Sequence, residues 1–364
     1  MIRVLQCVND MHRAGLETML MNYYRHIDRS EIQFDFLTHR PYRSDYDDEI
    51  EAMGGKIYYA PRLYPQNYPA YFKYMKDFFQ EHPEYKVIHS HIDSMSYLPL
   101  LAAKKAGVPI RIAHSHNTSI DRDFKYLLKQ YYRFKINSVA NYRLACGEMA
   151  GKYLFGKKEF RFIPNAIDSK RFVYDKAIRD IKRDELLLDG KFVIGHVGRL
   201  SYQKNHKLLV NIFKEVIKKC EDSVLVLVGT GEKEAEIKKQ IKELGLEEKV
   251  ILLGNRTDVN ELYQAMDVFV MPSYFEGVPV VGIEAQFANL PCIFSNKVPS
   301  EVKFSKLVDF VNLDAPLCDW VDGILKYSKH YEVRGDLSED LTNSIYEITN
   351  SVEKLSNLYR SLNP

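Results

Sequence analysis

Short apolar runs alternate with longer amphipathic stretches along the 364-residue chain, a pattern typical of βαβ units and parallel sheets. Seven runs in the first half have the length and composition of strands: Ile2–Val8, Gln33–Leu37, Lys56–Tyr59, Val87–His89, Arg111–Ala113, Tyr142–Cys146 and Arg161–Ile163. Helical patterns lie between them at Glu17–His26, Tyr68–Glu81 and Leu98–Ala106. The first half therefore predicts an α/β domain with a parallel sheet.

The second half starts the same organisation again, without a sequence repeat. Five further strands are predicted in the segments KFVIGHV, SVLVLVG, KVILLG, DVFVMPS and PCIFS, with helices between them. The halves divide near RFIPNAIDSKRF, where a Pro-Asn turn precedes a charged segment with no strand pattern. A last amphipathic stretch, Thr342–Leu362, has no strand after it, so it must pack on an element already formed.

Composition narrows the class of protein. A hydrophobic fraction of 46% and a charged fraction of 27% are ordinary for a globular chain. The net charge of +2 gives no support to a nucleic-acid partner. The five cysteines are scattered without a CxxC pair, which disfavours a disulfide framework and is typical of a reducing cytoplasm. No apolar run reaches the ~18–20 residues that a membrane span needs.

The first predicted strand of the second half is followed by a basic loop. In open α/β sheets, ligands bind beyond the carboxyl ends of the strands. Gly198, Arg199 and Lys204 lie there. A glycine lets the backbone approach a ligand, and an arginine and a lysine about a turn apart at a helix entrance suit a diphosphate. A solvated basic loop is an equally weighted alternative.

Two more strand ends carry candidate ligand contacts. Gly229 and Gly231 in VGTGEKE indicate a tight turn that admits a ligand edge, whereas a dinucleotide fingerprint would need a third glycine. Arg256 follows the next strand, where its backbone could accept a nucleobase edge. The alternative there is an ordinary helix start, capped by Thr257 or Asp258.

The segment FEGVPVVGIEAQ places Glu276 before a predicted helix and Glu284 inside it. Carboxylates accept hydrogen bonds from hydroxyl groups, and a helix N-terminus favours an anion. A nucleotide sugar presents ribose, diphosphate and sugar in that order, so the two acids suit the two rings. Accidental burial of both glutamates is the alternative. The amides at this helix mouth are those of Gly277, Val278, Val280 and Val281.

Together these motifs resemble retaining glycosyltransferase family 4. FEGVPVVGIEAQ is similar to the family's E-x7-E signature, GRLSYQKN to its basic diphosphate loop and FIPNAID to its PNG-I-D element. AGLE, near the N-terminus, is similar to its GG-x-E loop. IAHSHNT and LACGEMAGKYLFG resemble the exopolysaccharide and capsule branch.

The resemblance implies a GT-B fold, with two Rossmann-like doubly wound α/β domains facing across a cleft. It implies an acceptor-binding domain at residues 1–170 and a nucleotide-sugar-binding domain at 171–341. The C-terminal helix, 342–364, would cross back and pack on the first domain.

Roles for individual residues follow from the same resemblance. Glu284 would bind the ribose of the donor, and Glu276 would hold sugar hydroxyls. Arg199 and Lys204 would neutralise the diphosphate leaving group, and His114 would join them and Glu276 in catalysis. The implied donor-binding set is Gly15, Asn165, Gly198, Arg199, Lys204, Gly229, Arg256, Glu276, Gly277, Val278, Val280, Val281 and Glu284.

On the acceptor side, His116 and Asn117 would follow His114 at the end of a strand. The alternative for these three residues is structural, as a histidine and an asparagine that close a turn. No metal and no cofactor are expected, because no carboxylate stands at ligand spacing from the histidines and family relatives typically need no metal.

A basic aromatic stretch, Arg122–Arg143, has two interpretations: contact with an anionic membrane, or a core-packing helix with solvated lysines. The expected activity is transfer of a hexose or N-acetylhexosamine from a nucleotide sugar, UDP-linked by preference. The acceptor would be lipid-linked or an oligosaccharide, in bacterial polysaccharide assembly at the cytoplasmic face. A nucleotide-sugar epimerase of the same fold and a non-catalytic nucleotide-sugar-binding protein are the alternatives.

Overall fold

The computed structural model describes residues 1–119, 125–328, 334 and 344–362. The chain divides into two compact units. The first comprises Met1–Ala166 together with Ile348–Pro364, and the second comprises Ile167–Glu347.

The first unit is built on a parallel seven-stranded sheet. Its strands are β1 (Ile2–Cys7), β2 (Ile32–Thr38), β3 (Ile57–Tyr59), β4 (Val87–Ser90), β5 (Ile110–Ser115), β6 (Tyr142–Ala145) and β7 (Arg161–Phe162). Its helices are α1 (Gly15–His26), α2 (Asp47–Ala52), α3 (Tyr68–Glu81), α4 (Tyr97–Lys105), α5 (Tyr126–Lys135) and α6 (Glu148–Phe155). The strand order is β3-β2-β1-β4-β5-β6-β7.

Apolar side chains on the central strands bury this sheet on both faces, as parallel sheets require. Val4 of β1 is registered with Phe34 of β2 and with Val87 of β4, and all three are inaccessible to solvent. All seven strands predicted for the first half are present, each with ends within about two residues of the prediction.

The second unit has a parallel six-stranded sheet. Its strands are β8 (Phe192–Val197), β9 (Ser223–Val228), β10 (Val250–Leu252), β11 (Val268–Met271), β12 (Cys292–Ser295) and β13 (Val308–Val311). Its helices are α7 (Lys176–Glu185), α8 (His206–Lys219), α9 (Glu234–Glu243), α10 (Val259–Ala265), α11 (Val280–Phe287) and α12 (Leu317–Leu325). The strand order is β10-β9-β8-β11-β12-β13.

Short 3-10 turns complete the described backbone at Pro65–Asn67, Asp93–Ser96, Ile136–Ser138, Ser169–Arg171 and Ser300–Val302. One apolar face of α8 lies on the sheet, with Leu209, Ile212, Phe213 and Val216 in the core. A helix of this length is held mainly by such packing of one apolar face.

Helix α7 and strand β13 were not expected from the sequence. α7 begins behind Asp175, whose carboxylate accepts hydrogen bonds from the amides of Ala177 and Ile178. Arg179 and Arg183 of this helix are buried, and both reach the buried carboxylate of Asp267. The helix was missed because its inner face consists of paired arginines, not of the apolar residues that sequence patterns reveal.

The final helix, α13 (Ile348–Leu362), belongs to the first unit and packs beside α1. Tyr359 is buried there, with its ring edge-on to that of Phe34 at 5.9 Å. Arg360 pairs with Glu31 at 2.6 Å. The expected return of the chain to its first domain is confirmed, although residues 342 and 343 of the predicted stretch lie outside the described residues.

In each sheet the strand order reverses beside the first strand, between β1 and β4 and between β8 and β11. Loops that leave the carboxyl ends of such a strand pair run to opposite sides of the sheet and leave a crevice. These two positions are therefore where a ligand site is expected in each unit.

Candidate functional site

In the second unit, the loops that follow β8 and β11 are tied together at the point where the strand order reverses. The Tyr274 amide donates to Gln203 O at 2.8 Å, and the Asn205 side chain donates to Pro272 O at 3.2 Å. Asn205 has left-handed backbone angles (φ 53°, ψ 45°), and its carboxamide oxygen accepts from the Leu208 amide at the start of α8. These bonds fix the positions of the two loops relative to each other.

Lys204 and Glu276 meet in this position. Lys204 Nζ lies 2.7 Å from Glu276 Oε1, and Gln203 Nε2 donates to Glu276 Oε2 at 3.1 Å. The side chains of Lys204 and Glu276 are only 13% and 6% exposed. Pairing lets both charges be buried at a tolerable cost. Because an ammonium group has three donor hydrogens, Lys204 can bind a further anion without leaving Glu276.

Gly198 leaves the space through which Lys204 reaches this pair. A Cβ at Gly198 would stand 3.2 Å from Lys204 Cε, closer than most real contacts of this kind. Arg199 differs from Lys204, because its side chain is 76% exposed and its Nε is 3.6 Å from Glu232 Oε2. Such a surface ion pair is weak, so the guanidinium can turn towards a ligand at little cost.

Gly229 accounts for the close packing of the β8 and β9 loops. Its φ is +129°, and a Cβ there would fall 2.2 Å from Gly198 O. A Cβ at Gly231 would similarly meet Leu200 O at 2.4 Å. The two glycines therefore position the loop that carries Arg199 and Lys204, and contact of Gly229 with a ligand stays a prediction.

Glu284 lies inside α11 and is buried. Burial raises the pKa of its carboxyl to about 7, although a hydrogen bond with Tyr263 and the charge of Arg171 oppose this shift. The Tyr263 hydroxyl lies 3.0 Å from Glu284 Oε2 and 3.1 Å from Val281 O. A carboxylate that is retained inside a helix at such a cost is a candidate for ligand binding.

The mouth of α11 lies between the two glutamates. Pro279 precedes the helix with an extended backbone and no side-chain cap, and its carbonyl accepts from the amides of Gly282 and Ile283. The four amides predicted to face an anion, those of Gly277, Val278, Val280 and Val281, belong to this turn and the first residues of the helix. Their contact with a ligand stays a prediction.

Arg256 is part of a salt-bridge network between helix α7 and the loop before α10. Its Nη2 lies 2.6 Å from Asp258 Oδ2 and 3.1 Å from Glu185 Oε1. Asp258 also pairs with Lys182 at 2.7 Å and makes no side-chain cap for α10. The Arg256 side chain thus links α7 to the loop before α10, and a role of its backbone in binding a base stays a prediction.

The remaining predicted residues lie in the first unit. His114 and His116 are at the end of β5, and Gly15 is exposed at the first position of α1. Asn165 is buried, and its side chain hydrogen-bonds His116. Asn117 donates from Nδ2 to the carboxylate of Asp93 at 2.6 Å.

Asp93 organises the turn after β5. Its carboxylate accepts from the amides of His116 and Asn117, at 2.9 Å and 3.3 Å. Burial raises the pKa of Asp93, and these hydrogen bonds oppose the shift. Asn117 is therefore bonded within this turn, whereas the His114 side chain takes no part in it, and the acceptor-side roles of His116 and Asn117 stay predictions.

Three histidines of the first unit, on strands β4 and β5 and just after β4, form a potential metal site. One nitrogen from each of His89, His91 and His114 lies within 4.8 Å of the other two. Every one of these rings already hydrogen-bonds a neighbouring side chain. The expectation that no metal is needed stays a prediction.

Sequence reasoning missed several side chains that hold the predicted ones in place. Gln203 holds Glu276, Tyr263 holds Glu284, and Asp93 holds the turn at His116. The signals were weak but present, because Gln203 is adjacent to Lys204 and Asp93 lies two residues after His91. Tyr263 lies 21 residues from Glu284, and no local pattern reveals that contact.

Two protein-family models match the chain. Residues 13–171 match the family described as Glycosyltransferase Family 4, and residues 177–305 match Glycosyl transferases group 1. The second match covers the Lys204–Glu276 pair and Glu284.

Curated relatives match over most of the chain. The putative glycosyltransferase EpsF of Bacillus subtilis (strain 168) is 35% identical, over 98% of this chain and 96% of its own length. The UDP-Gal:alpha-D-GlcNAc-diphosphoundecaprenol alpha-1,3-galactosyltransferase of Escherichia coli is 29% identical, over 76% and 75%. The capsular polysaccharide biosynthesis glycosyltransferase CapH of Staphylococcus aureus is 26% identical, over 99% of both chains.

Solved structures share the fold. HepE of Anabaena, crystallised with UDP-glucose, aligns with a TM-score of 0.83 at 17% identity, covering 99% of this chain and 100% of its own. WaaG, a glycosyltransferase involved in lipopolysaccharide biosynthesis, aligns with a TM-score of 0.74 at 15% identity, covering 98% and 99%. The expected GT-B fold class is confirmed.

Proposed function

The chain belongs to glycosyltransferase family 4, with a group 1 glycosyltransferase domain in its second half, and on that premise we propose that it transfers a hexose or N-acetylhexosamine from a nucleotide sugar to a lipid-linked or oligosaccharide acceptor. We place this reaction in exopolysaccharide or capsule assembly, with retention of anomeric configuration. The relative CapH, which is named for capsular polysaccharide biosynthesis, supports the placement.

The Lys204–Glu276 pair is the observation that carries the proposal. It lies where the β8 and β11 loops meet, and both side chains are nearly buried. One of the two side chains suits an anionic group and the other suits hydroxyl groups. Lys204 would bind the diphosphate with its free donor hydrogens, and Glu276 would accept hydrogen bonds from sugar hydroxyls. Glu284 would bind the ribose from inside α11.

Charge stabilisation is the proposed source of catalysis. Departure of a nucleoside diphosphate builds negative charge on its oxygens, and preorganised donors in a site that excludes water stabilise that charge. Lys204, the exposed Arg199 and the amides before Gly282 would supply the donors, and no divalent ion is proposed.

A UDP-linked donor and a lipid-linked acceptor are the preferred substrates. The Escherichia coli relative is named for a UDP-galactose donor and an undecaprenol-linked acceptor, and HepE was crystallised with UDP-glucose. A thermal-shift screen of UDP, GDP and ADP sugars tests the donor, since a ligand that binds only the folded chain raises its melting temperature.

Contact with an anionic membrane surface is proposed for helix α5. Leu127, Tyr131 and Phe134 lie at spacings of four and three residues, and they are 81%, 52% and 80% exposed. Lys135 Nζ lies within 6 Å of the Tyr131 and Phe134 rings. The opposite face, with Tyr132 and Leu128, packs on the core, as the core-packing interpretation of the stretch expects, and contact of the exposed face with a membrane is the proposal. Residues 122–124 of that stretch lie outside the described residues.

No helix among the described residues is long and apolar enough to cross a bilayer. Any attachment through α5 would therefore lie along the surface, with apolar side chains in the headgroup region and lysines near anionic lipids.

The deciding experiment replaces the two proposed diphosphate ligands. Arg199→Ala and Lys204→Ala are each expected to lower turnover by about 10²–10³, the loss commonly seen when one donor to a developing anion is removed. The measurement is transfer of labelled sugar from a UDP-sugar to a polyprenyl-linked acceptor. The exposed Lys207 on α8 supplies the control, and Lys207→Ala should keep full activity.

Arg199 is the more informative position, because its exposed side chain can be removed without burying an unpaired charge. Wild-type turnover in folded Arg199→Ala and Lys204→Ala proteins would refute the assignment. Conversion of the donor without any acceptor would identify an epimerase. Binding without conversion would identify a sensor.

A further inference from the structure

Four histidines stand at the carboxyl ends of β4 and β5 and form a compact block. The ring centroids of His89 and His91, and of His114 and His116, are 4.1 Å apart. Across the strands, His89 lies 5.2 Å from His114, and His91 lies 5.3 Å from His116. Burial lowers the pKa of all four, that of His116 to about 3, so each ring is neutral and carries one N–H.

Gln6 of β1 sets the proton position on one side of this block. Gln6 Oε1 is an acceptor and lies 2.8 Å from His91 Nε2, so His91 carries its proton on Nε2. His91 Nδ1 is then an acceptor. His116 Nε2 lies 3.0 Å from this Nδ1 and must donate to it, so His116 also has its proton on Nε2.

The other side of the block is set through the final helix. Gln6 Nε2 donates to the Tyr359 hydroxyl at 3.3 Å, and the Tyr359 oxygen lies 2.6 Å from His89 Nδ1. Since the hydroxyl already accepts from Gln6, its own hydrogen goes to His89 Nδ1. His89 then carries its proton on Nε2.

His114 is the end of this chain of bonds. His89 Nε2 lies 3.2 Å from His114 Nδ1 and donates to it, so His114 holds its proton on Nε2. That nitrogen is buried and has no partner at normal hydrogen-bond distance and angle among the described residues. The nearby backbone of Ile163 makes a poorer hydrogen bond with the His114 ring, which opposes the lowering of the His114 pKa. We call this sequence of bonds, from His116 to His114, the histidine relay.

We propose that Tyr359 is a positioning residue for His114. Its hydroxyl accepts a hydrogen bond from Gln6 and donates one to His89, and this direction of donation fixes His114 as an Nε2–H donor. The use of that donor rests on the proposed function. There, His114 donates a hydrogen bond to an oxygen of a bound sugar and does not accept a proton as a base.

The same contacts allow one other consistent arrangement. If the carboxamide of Gln6 turns by half a revolution, every bond of the histidine relay reverses. All four rings then carry their protons on Nδ1, and His114 Nε2 becomes an acceptor. The rings must therefore share one tautomer, which separates this network from four independent histidines.

Nitrogen-15 NMR of the full chain labelled at histidine reads these tautomers directly. His89, His91, His114 and His116 are all expected as neutral Nε2–H rings. A neutral Nδ1–H ring or a charged ring at any of the four positions would overturn the proposal. So would the shifts of metal-bound nitrogen, which an ion held by the three-histidine cluster would produce.

Tyr359→Phe tests the part played by the hydroxyl. Without it, His89 and His114 form an isolated pair that can donate in either direction, so both should show mixed tautomers. His91 and His116 remain bonded to Gln6 and should keep Nε2–H. If His89 and His114 stay wholly Nε2–H in this variant, Tyr359 does not position His114.

Tyr24→Phe is the matched control. Tyr24 lies in α1, is buried in the same unit, and its hydroxyl accepts from Gln33 Nε2 at 2.6 Å and donates to Met53 O at 3.2 Å, outside the histidine relay. It should lose similar stability with all four tautomers unchanged. Mixed tautomers in this control as well would show a general loosening of the unit and overturn a specific role for Tyr359.

Transfer assays then separate the two proposals. Tyr359→Phe should lower kcat by about half, the share of chains that lose the donor tautomer, at unchanged donor KM. The tautomers are measured without substrate, so a chain with the predicted tautomers and no transferase activity would contradict only the proposed function. Full kcat in Tyr359→Phe with mixed tautomers would contradict the proposed use of His114.

Discussion

At the scale of single residues, Glu284 combines a cost in stability with a use in binding. Its carboxyl has a pKa of about 7 in the folded chain, because burial disfavours the charged form, against an ordinary value of 4.5. An apolar residue or a glutamine would fill the same place in α11 without that penalty. Its retention is understandable if an ionised acceptor is needed by the ribose of the donor.

Relative to wild type, Glu284→Gln should therefore raise the unfolding free energy of the unliganded chain more at pH 8 than at pH 5. Below about pH 4.5 both states of the wild type hold the proton. As the pH rises to about 7, the unfolded chain releases it first, so the unfolding free energy falls, by on the order of 3 kcal/mol. Glutamine removes this fall.

Urea unfolding at both pH values measures the difference, and the exposed Glu243→Gln is the control. The same Glu284 variant should bind a UDP-sugar roughly 10–100-fold more weakly, as expected for one lost hydrogen bond to a charged group. An equal stability difference at pH 5 and pH 8 would show that Glu284 does not titrate as described.

At the scale of secondary-structure elements, the β8 loop depends on how closely the β9 loop can approach it. Gly229→Ala would force a Cβ to 2.2 Å from Gly198 O at a φ of +129°. We expect a loss of ~3 kcal/mol from backbone strain and displacement of the loop. Urea unfolding of the variant measures this loss.

Gly190→Ala isolates the strain from the contact. Gly190 also has a positive φ, +69°, but a Cβ there would meet no atom within 4 Å. Its loss should be only ~1 kcal/mol. A loss in Gly229→Ala no larger than in Gly190→Ala would show that the contact with Gly198 does not matter.

The elements themselves were largely predictable, because apolar strands and amphipathic helices leave periodic patterns. The seven strands of the first sheet were predicted in this way. Helix α7 was not predicted, because Arg179 and Arg183 are buried by pairing with Asp267, which lies more than 80 residues away. Long-range pairing of charges leaves no local pattern.

The candidate site was predictable for a different reason. Gly198, Lys204 and Glu276 follow strand ends, and ends of parallel strands share one edge of a sheet, so their approach followed from topology. The supporting contacts were not predictable. Tyr263 reaches Glu284, and Tyr359 reaches His89, only because the tertiary structure brings together elements that are distant in the sequence.

At the scale of the whole molecule, attachment to a membrane would depend on α5. The Leu127→Ser, Phe134→Ser double variant should reduce binding to anionic liposomes by at least about tenfold, because each large apolar side chain contributes roughly 1.5–3 kcal/mol when fully buried. Flotation at low salt measures this. Ile181→Ser, at an exposed apolar position on α7, is the control and should bind as wild type.

Raised salt should release the wild type in part, because screening weakens the attraction of lysines to anionic lipid. If the wild-type chain does not float with anionic liposomes even at low salt, α5 is not a membrane contact. Binding that the double variant keeps would place the contact elsewhere.

The return of α13 to the first unit has a consequence for biosynthesis. The second unit is one uninterrupted segment, whereas the first unit lacks α13 until the residues that follow the second unit have left the ribosome. During translation the second unit can therefore finish folding while the first unit is still incomplete, a reversal of the usual vectorial order. A stop codon placed before Ile348 would consequently destabilise the unit that was synthesised first.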